Sequence, residues 1–249
     1  MELWGVALPL WGWAGAMFCA FSVGMAKTGM PGLGILAVPM MVLVVGDARH
    51  AAGWLLPVLC CADLFAVYYW RKHAAAGRLL NLAPWVLAGV GAGAVTLTLP
   101  DQKLRPLVGL IILVMLCLYL WRRRMTALGR EISPAHPLPY GVAAGFATTV
   151  ANAAGPVMSL YLLSKRLPKE DFVATGAWFF FFINLVKLPI YLGQGLISRT
   201  SATFGLLMIP AVLVGAVTGR WLVSRIPAGV FEASVIGLTA LSTLLLFRG

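Results

Sequence analysis

Six uninterrupted apolar runs, at residues 51–70, 82–99, 104–121, 174–192, 203–223 and 229–247, constrain this chain more than any other feature. Each is near the ~20 residues that a helix needs to cross a bilayer core. In lipid, only helices and closed barrels satisfy every backbone hydrogen bond. The pattern therefore predicts an all-α polytopic membrane protein. Charged residues make up only 11% of the chain and hydrophobic ones 61%, more apolar surface than a soluble fold could hide from water. The opening Met1-Glu2-Leu3-Trp4 lacks the basic start of a cleaved signal peptide, so the first apolar segment is expected to be retained.

Two further apolar regions, 8–46 and 138–163, are interrupted. The first breaks at Lys27-Thr28-Gly29-Met30-Pro31-Gly32 and the second at Asn152-Ala153-Ala154-Gly155-Pro156. Glycine and proline weaken a helix interior, and proline also removes a backbone donor. After the second break only Val157 to Leu163 remain apolar, too few to span, so each region is read as a broken or re-entrant hairpin. Loop charge supports this. With hairpins, the loops carrying Arg71, Lys72, Arg78, Arg122, Arg123, Arg124, Arg130, Lys165, Arg166, Lys169 and Arg225 share one face, the cytoplasmic one by the positive-inside rule. The opposite face receives Arg49, Lys103, Arg105, Arg199, Arg248 and both termini. The net charge of +11 thus reads as a preference for the bilayer and its anionic headgroups, with no nucleic acid as partner.

The chain also repeats itself. Phe21 matches Phe146, Pro31 matches Pro156, and Ala51-Ala52-Gly53 matches Ala174-Thr175-Gly176. Pro84, Gly89 and Gly93 return with identical spacing as Pro210, Gly215 and Gly219, and Pro100 matches Pro227. This predicts two transmembrane repeats, 1–125 and 138–249, joined by a cytoplasmic linker at 126–137. Each holds one hairpin and three spans, so the second enters the membrane from the opposite side. Inverted repeats with interrupted helices are a common transporter design, with the site near the midplane.

The stretch Gly29-Met30-Pro31-Gly32-Leu33-Gly34 followed by Pro39, then Ala51-Ala52-Gly53, then Asn152-Ala153-Ala154-Gly155-Pro156, resembles the sulfite exporter TauE/SafE family, membrane transporters that include permeases of the 4-toluene sulfonate uptake kind. The likeness runs over essentially the whole chain in family order. It implies a multi-pass protein of the bacterial inner membrane that moves sulfite, a sulfonate or a related small anion as a secondary transporter.

Ionisable residues inside spans are costly and mark sites by default. Lys27, Asp63, Lys187 and Arg220 qualify. Arg220 is close enough to its helix end to snorkel to the headgroups. Lys27 stands at the first break, where it reads equally as an interfacial lysine, and the repeat pairs it with Asn152. Asp63 aligns with Val186 or Lys187, and the two charges read either as a structural ion pair or as an anion-attracting lysine beside a carboxylate that balances charge or takes up a coupling proton. Asn184 lies one turn before Lys187 on the same face. Helix starts after Pro31 and Pro156 would add backbone N–H donors and partial positive charge. The expected substrate site is therefore Lys27, Thr28, Gly29, Gly32, Asn152, Ala153, Gly155, Asn184 and Lys187 at the midplane between the two breaks, with Asp63 as the coupling or charge-balancing group.

Other features read as structure. Gly89/Gly93 and Gly215/Gly219 are small-residue pairs that let helices approach closely. The aromatic run Trp178–Phe182 reads as packing or lipid contact, and Cys19, Cys60, Cys61 and Cys117 as small apolar residues. His50, His73 and His136 form no cluster, and no metal or cofactor motif appears. An intramembrane enzyme acting on a lipid-linked phosphate is the main alternative, disfavoured because no acid–base or nucleophile cluster accompanies Asp63. A passive anion channel would use the same cationic lining. Nothing in the sequence fixes a homo-oligomeric state.

Overall fold

The computed structural model describes residues 2–3, 5–29, 33–46, 48–72, 76–96 and 136–227, with parts of 110–128 and 229–244. Apart from a two-residue-per-strand hairpin, Glu2–Leu3 against Val6–Ala7, the described chain is helical. That hairpin was not foreseen in the sequence; it turns on Gly5, whose φ of 79° is open to glycine without strain. The helices are α1 (Leu10–Thr28), α2 (Ala37–Val45, after a 3₁₀ turn at Leu33–Leu36), α3 (Ala48–Trp70), α4 (Ala76–Thr96), α5 (Pro137–Ala151), α6 (Ala154–Ser164), α7 (Lys169–Gly193), α8 (Arg199–Leu207) and α9 (Ile209–Arg225).

Three of these, over His50–Trp70, Leu79–Thr96 and Lys169–Gly193, are long and apolar enough to cross a membrane, and α8 with α9 makes a fourth if the bent pair counts as one span. Both predicted breaks are present. Helix α1 stops at Thr28 with Gly29 as its cap, and α5 stops at Ala151 with Asn152 in the left-handed region at φ 50°, ψ 28°, a conformation asparagine tolerates better than most residues. The arm after the second break, α6, is 11 residues long, about 16 Å of helix and half a bilayer core. Pro31, Gly32, Pro100 and about half of each of the runs 104–121 and 229–247 lie outside the described residues.

One predicted span needs correction. The run 203–223 is not a straight helix: α8 and α9 meet at Met208 with a 47° bend. In a continuous helix the Pro210 ring would strike the carbonyl four residues before it and leave that carbonyl without a donor. Pro210 instead occupies the first turn of α9, where a missing N–H costs nothing. Ser198 and Ser201 start α8 with reciprocal side-chain-to-backbone hydrogen bonds.

The described chain divides into two compact units, Met1–Ala74 with Val173–Pro227, and Ala75–Phe172 with Ala228–Gly249. In the first, α1 packs along α9. The missing side chain of Gly24 makes room for the Val212 carbonyl, that of Gly29 for Gly219, and that of Gly215 for the Phe21 carbonyl. The Thr28 hydroxyl donates to Ala216 O at 2.6 Å across this contact. Trp13, Val23, Met41, Leu55, Val58 and Val212 are buried in one apolar cluster, and Phe204 sits between Trp13 and Trp54 at 6.5 and 5.0 Å.

In the second unit α4 packs along α5 by the same device. Gly89 faces the Val142 carbonyl, Gly93 faces Thr149, and Gly145 faces the Val86 carbonyl. These contacts revise the register of the first helix in each half. Gly24 and Gly145 hold the same place, as do Thr28 and Thr149, one helical turn away from the register that matches Phe21 with Phe146. By packing, the counterpart of Lys27 is Thr148, while Asn152 corresponds to Gly29 as a capping residue.

Candidate functional site

The first unit gathers ionisable side chains from three helices. Lys27, near the end of α1, extends its ammonium to Asp63 in the middle of α3, with Nζ–Oδ1 at 2.7 Å. The other carboxylate oxygen accepts a hydrogen bond from Asn184 Nδ2, on α7, at 2.6 Å. The Lys27 ammonium also lies 4.0 Å from the centroid of the Phe180 ring, one turn before Asn184. Lys187 is three residues beyond Asn184 on the same helix and is fully buried. Its ammonium is 5.6 Å from the Tyr191 ring.

The helical turns around Asp63, Asn184 and Lys187 are apolar, so each charge sits where protein partners must compensate it. Asp63 is 0% exposed, Lys187 0% and Asn184 2%, and the Lys27 side chain is 9% exposed. The reading of Lys27 as an interfacial lysine is therefore overturned. Its helix ends inside the protein, against the tight contact of Gly29 with Gly219, and no route to the headgroups is needed. The Thr28 carbonyl at this buried end accepts a hydrogen bond from Trp70 Nε1 at 3.1 Å, which satisfies a group that a helix terminus leaves open.

Of the nine expected substrate residues, Lys27 and Asn184 both contact Asp63, and Lys187 lies one turn beyond Asn184 on the same helix. Thr28 adjoins the cluster in sequence, but its hydroxyl is committed to Gly24 O and Ala216 O. Gly29 is packed on backbone, and Gly32 lies outside the described residues. Asn152, Ala153 and Gly155 belong to the second unit. There Ala153 is buried and, as the N-cap of α6, has no polar side chain to bond the first amides, and the space where a Gly155 side chain would lie is open.

Two residues escaped the sequence reading. Phe180 lies in the aromatic run assigned to packing or lipid, yet one ring of that run supports the Lys27 ammonium. Cys60, three residues before Asp63, shares the electrostatic neighbourhood of both lysines. A search one turn either side of Asp63 would have found Cys60. No signal distinguished Phe180 from its aromatic neighbours. Among the described residues there is no group of three or more His, Cys, Asp or Glu placed to hold a metal ion.

Among the described residues the cluster holds two lysines, Lys27 and Lys187, and one carboxylate, Asp63, so its net charge is positive when all three are ionised. An anion would complete the set. Residues 16–246 match the family described as sulfite exporter TauE/SafE. No curated protein and no solved structure matches the chain.

Proposed function

From the premise that this chain belongs to the sulfite exporter TauE/SafE family, an integral-membrane transporter family, we propose that it is a secondary transporter of sulfite or an organosulfonate in a bacterial inner membrane. The single observation that carries the proposal is the Lys27–Asp63–Asn184–Lys187 cluster, which holds more positive than negative charge inside an apolar unit. An anion leaving water loses its hydration and needs charge and oriented donors in return. Lys187 supplies full charge, and Lys27, paired with Asp63, is the second cation.

Asp63 gives the site a means of coupling. Protonation of its carboxyl would release Lys27 toward the anion, and deprotonation would take Lys27 back, so a proton and an anion would bind together. The repeats 1–125 and 138–249 are proposed to be inverted about an axis in the membrane plane. In support, the first helix of each half docks on the third long helix of the other through equivalent glycine contacts. The start of α6 after Asn152, with Ala153 as its N-cap, presents backbone N–H groups of the kind that bind oxyanions, and we include Asn152, Ala153 and Gly155 as substrate contacts on that ground.

The test is a thermal-shift panel on purified protein with sulfite, sulfate, thiosulfate, taurine, sulfoacetate and simple carboxylates, followed by flux in proteoliposomes with the best ligand. Binding to the folded state alone raises stability by mass action, about 2.7 kcal/mol at 100 times Kd. Preferential stabilisation by sulfite or a sulfonate, and flux driven by an imposed proton gradient, are expected. Flux that ignores the proton gradient would remove the coupling role of Asp63, and stabilisation by carboxylates alone would move the substrate to another class.

A further inference from the structure

The outer face of the first unit carries a second feature, unrelated to the buried ion cluster. Helices α3 and α9 run side by side in the same direction, and between them lies a groove of about 570 Å³ lined by Cys61, Leu64, Phe65, Tyr68, Leu213 and Val217, among others. Its walls are open to the surroundings: Leu64 is 58% exposed, Tyr68 65% and Val217 56%. From Ile209, at one end of the lining, to Arg220, just past the other, the helix rises roughly 16 Å, about the depth of one leaflet of a ~30 Å core.

One end of the groove is cationic. The Arg220 guanidinium stacks 4.6 Å from the Tyr69 ring and the Arg71 guanidinium 4.6 Å from the Tyr68 ring, and the two rings are neighbours at 6.2 Å. Arg71 also donates to the Tyr68 carbonyl at 3.3 Å, one of its five N–H groups. Lys72 and Arg225 are exposed close by in the chain. The opposite end, near Cys61 and Ile209, has no ionic group in its lining.

We propose that this groove binds an anionic phospholipid of the cytoplasmic leaflet, one acyl chain between α3 and α9 and the phosphate between Arg71 and Arg220. The charge complementarity decides the occupant. A free anion would have no use for a leaflet-deep apolar trough, and a partner helix would find two arginines at its end without a counter-charge. Tyrosines that hold guanidinium planes at the headgroup level are suited to both parts of a lipid: the ring faces the chain and the hydroxyl the interface. Basic sites between transmembrane helices on the cytoplasmic side recognise lipid phosphates by the same physics. The cytoplasmic placement is that of the basic loops following Trp70 and Arg225.

The experiment uses the full chain in neutral detergent, with dioleoyl phosphatidylglycerol and dioleoyl phosphatidylcholine added as matched probes. Bound lipid is counted by native mass spectrometry and stability is followed by thermal unfolding. Phosphatidylglycerol should bind at least several-fold tighter than phosphatidylcholine, and each of Arg71→Gln and Arg220→Gln should weaken it roughly fivefold. Arg199→Gln, at the start of α8, should leave it unchanged. Val217→Trp, on an exposed face where folding is undisturbed, should fill the trough and lower occupancy by phosphatidylglycerol with both arginines intact. Equal binding of the two lipids, phosphatidylglycerol binding retained in the double variant Arg71→Gln/Arg220→Gln, or full competition by soluble glycerol phosphate would overturn the proposal.

Discussion

The α1–α9 contact of the first unit and the α4–α5 contact of the second are built alike and used differently. In both, a glycine of the hairpin helix (Gly24, Gly145) opens its backbone to a carbonyl of the partner (Val212, Val86), and a glycine of the partner (Gly215, Gly89) returns the arrangement. In both, a threonine one turn further on bonds its hydroxyl back to that first glycine's carbonyl, Thr28 to Gly24 and Thr149 to Gly145. At the next position the two part. Lys27 in the first unit reaches Asp63; Thr148 in the second, buried at 2% exposure, has no charge to offer. The two joints share their glycine geometry, and the ionic chemistry belongs to one of them.

The sharpest way to break that distinction is to remove the charge. Asp63→Ala strands Lys27 and Lys187 without their carboxylate, and a buried pair broken on one side loses about 3–5 kcal/mol. The expected outcome is a large drop in folded yield and thermal midpoint in detergent, mostly restored when Lys27→Met accompanies Asp63→Leu. Thr148→Ala should cost under about 1 kcal/mol. A Thr148→Ala loss as large as that of Asp63→Ala would mean that the second joint conceals an equivalent polar site.

The likeness of the joints is tested by Gly24→Leu and Gly145→Leu. Each forces a side chain onto a backbone carbonyl, which cannot yield as a side-chain end would, so each should cost about 1–3 kcal/mol or more. Comparable falls in midpoint are expected, whereas a fall confined to one variant would show that the two contacts are not equivalent. The smallest effect is that of a single hydroxyl. Thr28 bonds across to Ala216 as well as within its own helix. Thr28→Val should therefore lose about 0.6 kcal/mol, an interhelical hydrogen bond in a bilayer. An unchanged midpoint in Thr28→Val would remove the interhelical role of that hydroxyl.

The features legible in sequence are those with a local cause. Glycine and proline mark the breaks at Gly29 and Asn152, and apolar length marks α3, α4 and α7. Gly89, Gly93, Gly215 and Gly219 announce close packing because only a missing side chain permits it. The depth of Asp63, Asn184 and Lys187 follows from their distance to the helix ends. The pairing of Asp63 does not, because Lys27 and Lys187 are both within reach of it along different helices and sequence spacing cannot rank contacts between helices. The repeat register failed for a related reason. Phe21 and Phe146 look equivalent as letters, yet the contact is fixed by where side chains are absent, at Gly24 and Gly145, one turn out of step. The bend at Met208 was hidden because Pro84, the match of Pro210, lies inside an unbroken α4; whether a proline bends its helix is decided by the neighbours that accept the freed carbonyl.

The central claim is that the buried cations of the first unit hold the anion, and Lys187→Met tests it most directly. The measurement is the ligand-dependent thermal shift of the folded variant in detergent, with the sulfite or sulfonate that most stabilises the wild-type protein. The account predicts a shift in the wild type and in Thr148→Ala, and none in Lys187→Met at the same ligand concentration. A folded Lys187→Met protein with the full wild-type shift would contradict it.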